Sequence, residues 1–107
     1  MPGTYNQGGD KIQPVTKQAT TARARITVRG RVQMVGYRAF AIRNAEKVMG
    51  TVGNRPDGSV EAIAEGSRAD VEAFIERLHA GPPASRVESV EVTWETPSGT
   101  YTSMRIA

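Results

Sequence analysis

The chain has no cysteine and a single histidine, His79, in 107 residues. That excludes disulfides, thiolate nucleophiles and cysteine-based metal sites, along with any mechanism that needs two histidines. Aromatic residues make up only 6%, and the K/R-G-F/Y-G/A-F pattern that stacks RNA bases is missing. No apolar run approaches membrane-spanning length, and residues 1–22 lack the apolar stretch of a secretory signal. The catalytic groups that remain are arginine, asparagine, carboxylates, hydroxyls and backbone amides.

An excess of one charge is also lacking where it would matter. The sequence pI is about 9.7, but residues 1–23 carry a net +2 of the overall +3, leaving 24–107 at +1. A phosphate-backbone binder concentrates Lys and Arg on one face, whereas here the charges alternate in sign. We expect neither a nucleic-acid partner nor a membrane partner. With 38% hydrophobic and 23% charged residues, the chain reads as soluble and globular, with room for one modest core.

Residues 1–22, rich in Gly, Gln, Thr and Pro, read as a flexible tail, and residues 23–107 as one domain. Arg25–Arg29 alternates as a strand, with Ile26 and Val28 on one face. Tyr37, Phe40, Ala41, Ala45 and Val48 have helical spacing, so a helix is expected to about Met49 with Gly50 at its left-handed C′ position. Thr51–Asn54 and Val60–Glu65 make a hairpin about the Pro56-Asp57-Gly58 turn. Ser67-x-x-Asp70 caps a second amphipathic helix bearing Val71, Phe74, Ile75 and Leu78, closed by Gly81. Val90, Val92 and Trp94 alternate in a further strand, and Met104 with Ile106 suggests a short last one. The order βαββαβ predicts an α+β, ferredoxin-like split βαβ sandwich: an antiparallel sheet, two helices on one face, and a short extra C-terminal strand. The fold alone names no function.

The most informative stretch is Gly30-Arg-Val-Gln-Met-Val-Gly-Tyr-Arg38, between the first strand and the first helix. A Gly-bearing loop there aims backbone N–H groups outward at a helix N-terminus, a recipe for holding phosphate. Arg38 adds a planar cationic fork for phosphate oxygens.

This stretch resembles the acylphosphatase signature G-R-V-Q-G-V-G-[FY]-R. Gly50-Thr-Val-Gly-Asn-Arg-Pro-Asp-Gly-Ser-Val60 resembles the family's second block, G-x-V-x-N-x-x-D-G-x-V, and the resemblance spans about residues 24–107. It implies a metal-independent, cofactor-free, cytoplasmic and monomeric enzyme that hydrolyses acyl phosphates to a carboxylate and inorganic phosphate. Inorganic phosphate is then both product and competitive inhibitor. Residue by residue, it implies that Arg38 binds the phosphate and Asn54 orients the attacking water. The backbone of Gln33, Met34, Val35, Gly36, Tyr37 and Arg38 supplies the phosphate cradle. A second reading is a non-catalytic phosphate- or carbamoyl-phosphate-binding regulatory module of the same fold.

One departure bears on the site: the family's glycine after the glutamine is Met34. Glycine there serves a positive φ or close approach to the ligand. Methionine is costly for the first and bulky for the second, so a distorted cradle with reduced or conditional activity is expected. The remaining candidates have structural readings. Asp57-Gly58 is turn chemistry, Arg31 a solvated strand-end cation, and His79 a cation at a helix C-terminus. Trp94 packs at the core or its rim, and Glu91 and Glu95 are solvated on the opposite face.

Overall fold

In the computed structural model, which describes residues 21–107, the alternation around Ile26 and Val28 becomes strand β1, Thr21–Arg31. The tail expected over residues 1–22 lies outside the described residues except for Thr21 and Ala22, which open β1. Helix α1 (Tyr37–Arg43), strands β2 (Met49–Asn54) and β3 (Val60–Ser67), helix α2 (Arg68–Ala80), and strands β4 (Arg86–Glu95) and β5 (Met104–Ile106) follow. The sheet order is β4-β1-β3-β2-β5. Its first four strands pair antiparallel, as expected of the split βαβ arrangement. The short β5 instead runs parallel to β2, with Gly50 opposite Met104 and Val52 opposite Ile106, so the sheet is mixed.

Both helices cover one face of the sheet. Ala24, Ile26 and Val28 of β1, Val52 of β2 and Ala62 and Ala64 of β3 meet Tyr37, Ala41, Val71, Phe74 and Leu78 in one buried cluster. Each buried Val, Leu, Ile or Phe side chain contributes about 1.5–3 kcal/mol. The Ser67 cap is present, its Oγ accepting from the Asp70 N–H at 3.1 Å. Phe40, Val90 and Val92 are only half-buried, the valines because β4 is an edge strand. Trp94 sits at the rim, 37% exposed, with the Arg68 guanidinium 3.7 Å above its ring centroid.

The first helix is shorter than its apolar spacing predicts. It ends at Arg43 because Asn44 turns its side chain back, Nδ2 donating to the Phe40 carbonyl at 2.8 Å. Ala45 and Val48 are still buried, but through consecutive turns rather than a continued helix. Gly50 is therefore no helix cap. It lies in β2 at φ 154°, where an added Cβ would fall 1.7 Å from the Ile63 carbonyl oxygen.

The outer face of the sheet is a ladder of ion pairs: Glu91 is exposed, as expected, while Glu95 is half-buried between two arginines, which corrects the expectation that it is solvated. Glu95 bridges Arg23 at 2.9 Å and Arg25 at 2.8 Å. Arg25 also meets Glu61, which meets Arg55, while Arg29 joins Asp57 and Glu91. Alternation on β1 puts its arginines on the face away from the core, opposite acids on the neighbouring strands.

Candidate active site

After β1 the chain buries Val32 and bends through Gln33–Gly36 into α1. Gly36 stands before the helix at φ 79°, ψ 20°, a left-handed turn that turns the chain into α1. No side chain among the described residues caps this helix, and its first turn contains no acid. The backbone N–H groups of Gln33, Met34, Val35 and Gly36 donate to no acceptor among the described residues. Such donors beside a helix start favour an anion.

Met34 takes the conformation that suits glycine. At φ 63° it is the one non-glycine residue with positive φ among the described residues. The expected steric cost thus appears as strain at a single residue, about 1–2 kcal/mol, while the left-handed turn itself is kept. The Met34 side chain is 100% exposed.

Arg38, in the first turn of α1, and Asn54, the last residue of β2, line one cleft of about 170 Å³ together with Val32, Met34, Gly36, Tyr37, Ala39 and Ile106. The parallel pairing of β5 with β2 brings Ile106 there. Arg38 is exposed and has no carboxylate partner among the described residues, unlike Arg23, Arg25, Arg29, Arg55 and Arg68. Asn54 is also exposed, and its side chain makes no hydrogen bond among the described residues. The hairpin turn is shaped instead by Asp57, whose Oδ1 accepts from the Ser59 N–H at 2.9 Å and the Ser59 hydroxyl at 2.6 Å. These bonds, with Arg29 nearby, hold the Asp57 carboxyl down to about 2.

Gln33 has a role beyond its backbone. Its Nε2 donates to the Arg55 carbonyl at 2.8 Å and the Ser59 carbonyl at 3.0 Å, tying the candidate cradle to the turn that follows Asn54. On the other side of the loop, the Tyr37 hydroxyl donates to the Leu78 carbonyl of α2. Burial pushes the Tyr37 phenol up, so it stays neutral and acts as an anchor for α1. Arg31 is exposed at the strand end, as expected, and His79 is exposed in the last turn of α2. No group of three or more His, Asp or Glu side chains is placed to hold a metal ion among the described residues. None of the helices described is long and apolar enough to cross a membrane.

The residues that sequence reasoning missed here are the Gln33 side chain and Ile106. The partners of Gln33 lie 22 and 26 residues away, with no local periodicity to announce them. Ile106 gave the signal of a short strand, but neither its parallel pairing nor its place beside Asn54.

A family model described as Acylphosphatase matches residues 24–106. The chain is similar to an acylphosphatase from Anaeromyxobacter dehalogenans, 52% identical over 83 residues, covering 76% of this chain and 89% of that one. Among solved structures, the acylphosphatase from Bacillus subtilis superposes with a TM-score of 0.77 at 38% identity, covering 80% of this chain and 98% of that one. An acylphosphatase from Coxiella burnetii gives a TM-score of 0.80 at 29% identity, covering 88% of this chain and 100% of that one.

Proposed function

The chain belongs to the acylphosphatase family and is a hydrolase of acyl phosphates, and we propose that Arg38, Asn54 and the 33–38 loop carry that activity. The loop amides and the Arg38 guanidinium hold the phosphoryl oxygens. Asn54 binds the attacking water through its side-chain carbonyl. The observation that carries this assignment is the cleft shared by Arg38 and Asn54, both without competing side-chain partners among the described residues.

The chemistry asks little more of the protein. Phosphoryl transfer through a loose transition state needs positioning and charge stabilisation rather than covalent help. The leaving carboxylate is a weak base, so no strong general acid is required. Hydrogen bonds to charged groups are worth about 1.5–3 kcal/mol each, and several N–H donors plus one guanidinium can meet the equatorial oxygens. A neutral asparagine can sit beside the dianion, where a carboxylate would be repelled. The water's proton passes to a phosphate oxygen. Asn54 in the same cleft as Arg38 supports hydrolysis over a purely phosphate-binding module, which has no use for a residue that orients water. The functional unit is a cytoplasmic monomer without cofactor, with inorganic phosphate as product and competitive inhibitor.

Benzoyl phosphate hydrolysis by wild type, Arg38→Ala and Asn54→Ala, with and without chelator, tests the assignment. Wild type should exceed buffer with or without chelator, and Arg38→Ala should lose about 10²–10³ in rate. Equal rates for wild type, Arg38→Ala and buffer would overturn it.

A further inference from the structure

Met34 holds a left-handed backbone at φ 63°, and its fully exposed side chain gains no core packing in return. A strained residue kept without packing compensation points to function. Met34 borders the cleft of Arg38 and Asn54, and so does Ile106, itself 53% exposed on β5. Ile106 is placed by its pairing with Val52, and the next residue, Ala107, donates its N–H to the Val52 carbonyl at 2.8 Å. Two residues with exposed apolar side chains thus line the same cleft as Arg38 and Asn54.

The cleft is small. Its volume of about 170 Å³ is below the roughly 300 Å³ at which ligand pockets begin, so a phosphate seated on the loop leaves the acyl half of the substrate at the rim. We propose that Met34 and Ile106 form an apolar lip that selects acyl phosphates with a bulky apolar acyl group, aryl or branched alkyl, over small ones. The proposal rests on the 33–38 loop holding the phosphoryl group. A flexible, polarizable thioether suits this task, since it adapts to irregular apolar surfaces and makes favourable contacts with aromatic rings.

Binding of two unreactive analogues, benzoylphosphonate and acetylphosphonate, measured by calorimetry, isolates the lip from the chemistry. Wild type should prefer the benzoyl analogue by about tenfold, the lower end of what one methylene achieves in an apolar pocket. Met34→Gly and Ile106→Ser should each cut that preference to about threefold or less, while Met34→Leu keeps it. Relief of backbone strain in Met34→Gly acts on both analogues alike and cancels in the ratio, and inorganic phosphate binding reports the cradle separately. An unchanged preference in both Met34→Gly and Ile106→Ser would overturn the lip. Acetyl phosphate hydrolysis no faster with wild type than with Arg38→Ala would instead overturn the catalytic assignment, while the analogue ratio still decides the lip.

Discussion

Gln33 and Arg55, 22 residues apart, are joined by a hydrogen bond from the Gln33 carboxamide nitrogen to the Arg55 carbonyl oxygen at 2.8 Å. Because Arg55 follows Asn54 directly, the bond ties the strand end that carries Asn54 to the 33–38 loop. In the proposed mechanism these two groups act on one phosphorus atom, where misplacement by about 1 Å can cost 10²-fold in rate.

Gln33→Ala should therefore lower kcat by about tenfold while costing no more than about 1.5 kcal/mol in stability. Both carbonyls it releases keep a backbone donor, that of Arg55 from the Gly58 N–H at 3.0 Å and that of Ser59 from the Arg55 N–H at 2.8 Å. Gln33→Glu should be worse, since a carboxylate would face two carbonyl oxygens. Steady-state kinetics beside urea denaturation separates the effects: lost stability with unchanged kcat would leave Gln33 a purely structural tie.

Asn54→Ala should lower kcat by about 10²-fold and leave KM nearly unchanged, because water positioning counts mainly in the transition state. A raised KM at unchanged kcat would make Asn54 a substrate-binding residue.

Met34→Gly should stabilise the fold by about 1 kcal/mol, since glycine takes the left-handed conformation without the Cβ clash. The shift would appear as a higher urea midpoint with the same slope. No change would show that the backbone at position 34 is unstrained.

Glu65 is the buried one among the acids, with Asp57 and Glu95, whose pKa is lowered on folding. Its carboxylate is buried at 3% exposure and accepts from Arg23 at 2.8 Å, from the Ser98 N–H at 2.8 Å and from the Gly99 N–H at 3.0 Å. Burial pushes its pKa up, but the Ser98 amide, the Arg23 guanidinium and the Gly99 amide outweigh it and hold the group down to about 2. A carboxyl lowered on folding contributes fully above its unfolded pKa, near 4.3, and loses that contribution as pH falls toward 2. Stability should fall over that window in wild type and less steeply in Glu65→Ala, which keeps the contributions of Asp57 and Glu95. At neutral pH, Glu65→Ala should cost about 1–3 kcal/mol, because it removes the acceptor of the Ser98 and Gly99 N–H groups, while Arg23 keeps Glu95 at 2.9 Å. Denaturation curves at pH 7, 4 and 2.5 would show both effects.

Much of this was legible in neighbouring residues. The period-2 runs about Ile26 and Val60, the Ser67–Asp70 cap and the Gly81 stop are local chemistry and appear where expected. The end of α1 was misjudged because the side chain of Asn44 competes with the backbone, an effect that apolar spacing does not register. Glu95 differs from its solvated reading because alternation shows which way it points but not that Arg23 and Arg25 stand beside it.

The sequence by itself determined the elements, the βαββαβ order and the two blocks that carry Arg38 and Asn54, because turn chemistry, capping and periodicity act within a few residues of chain. Only the tertiary structure decided that Arg38, Asn54, Met34 and Ile106 share one small cleft, that Gln33 ties its two sides together, and that Met34 bears glycine's backbone conformation. Those relations depend on strand register, on a parallel fifth strand and on loop closure, which arise only when residues distant in sequence are brought together by burial of a common core.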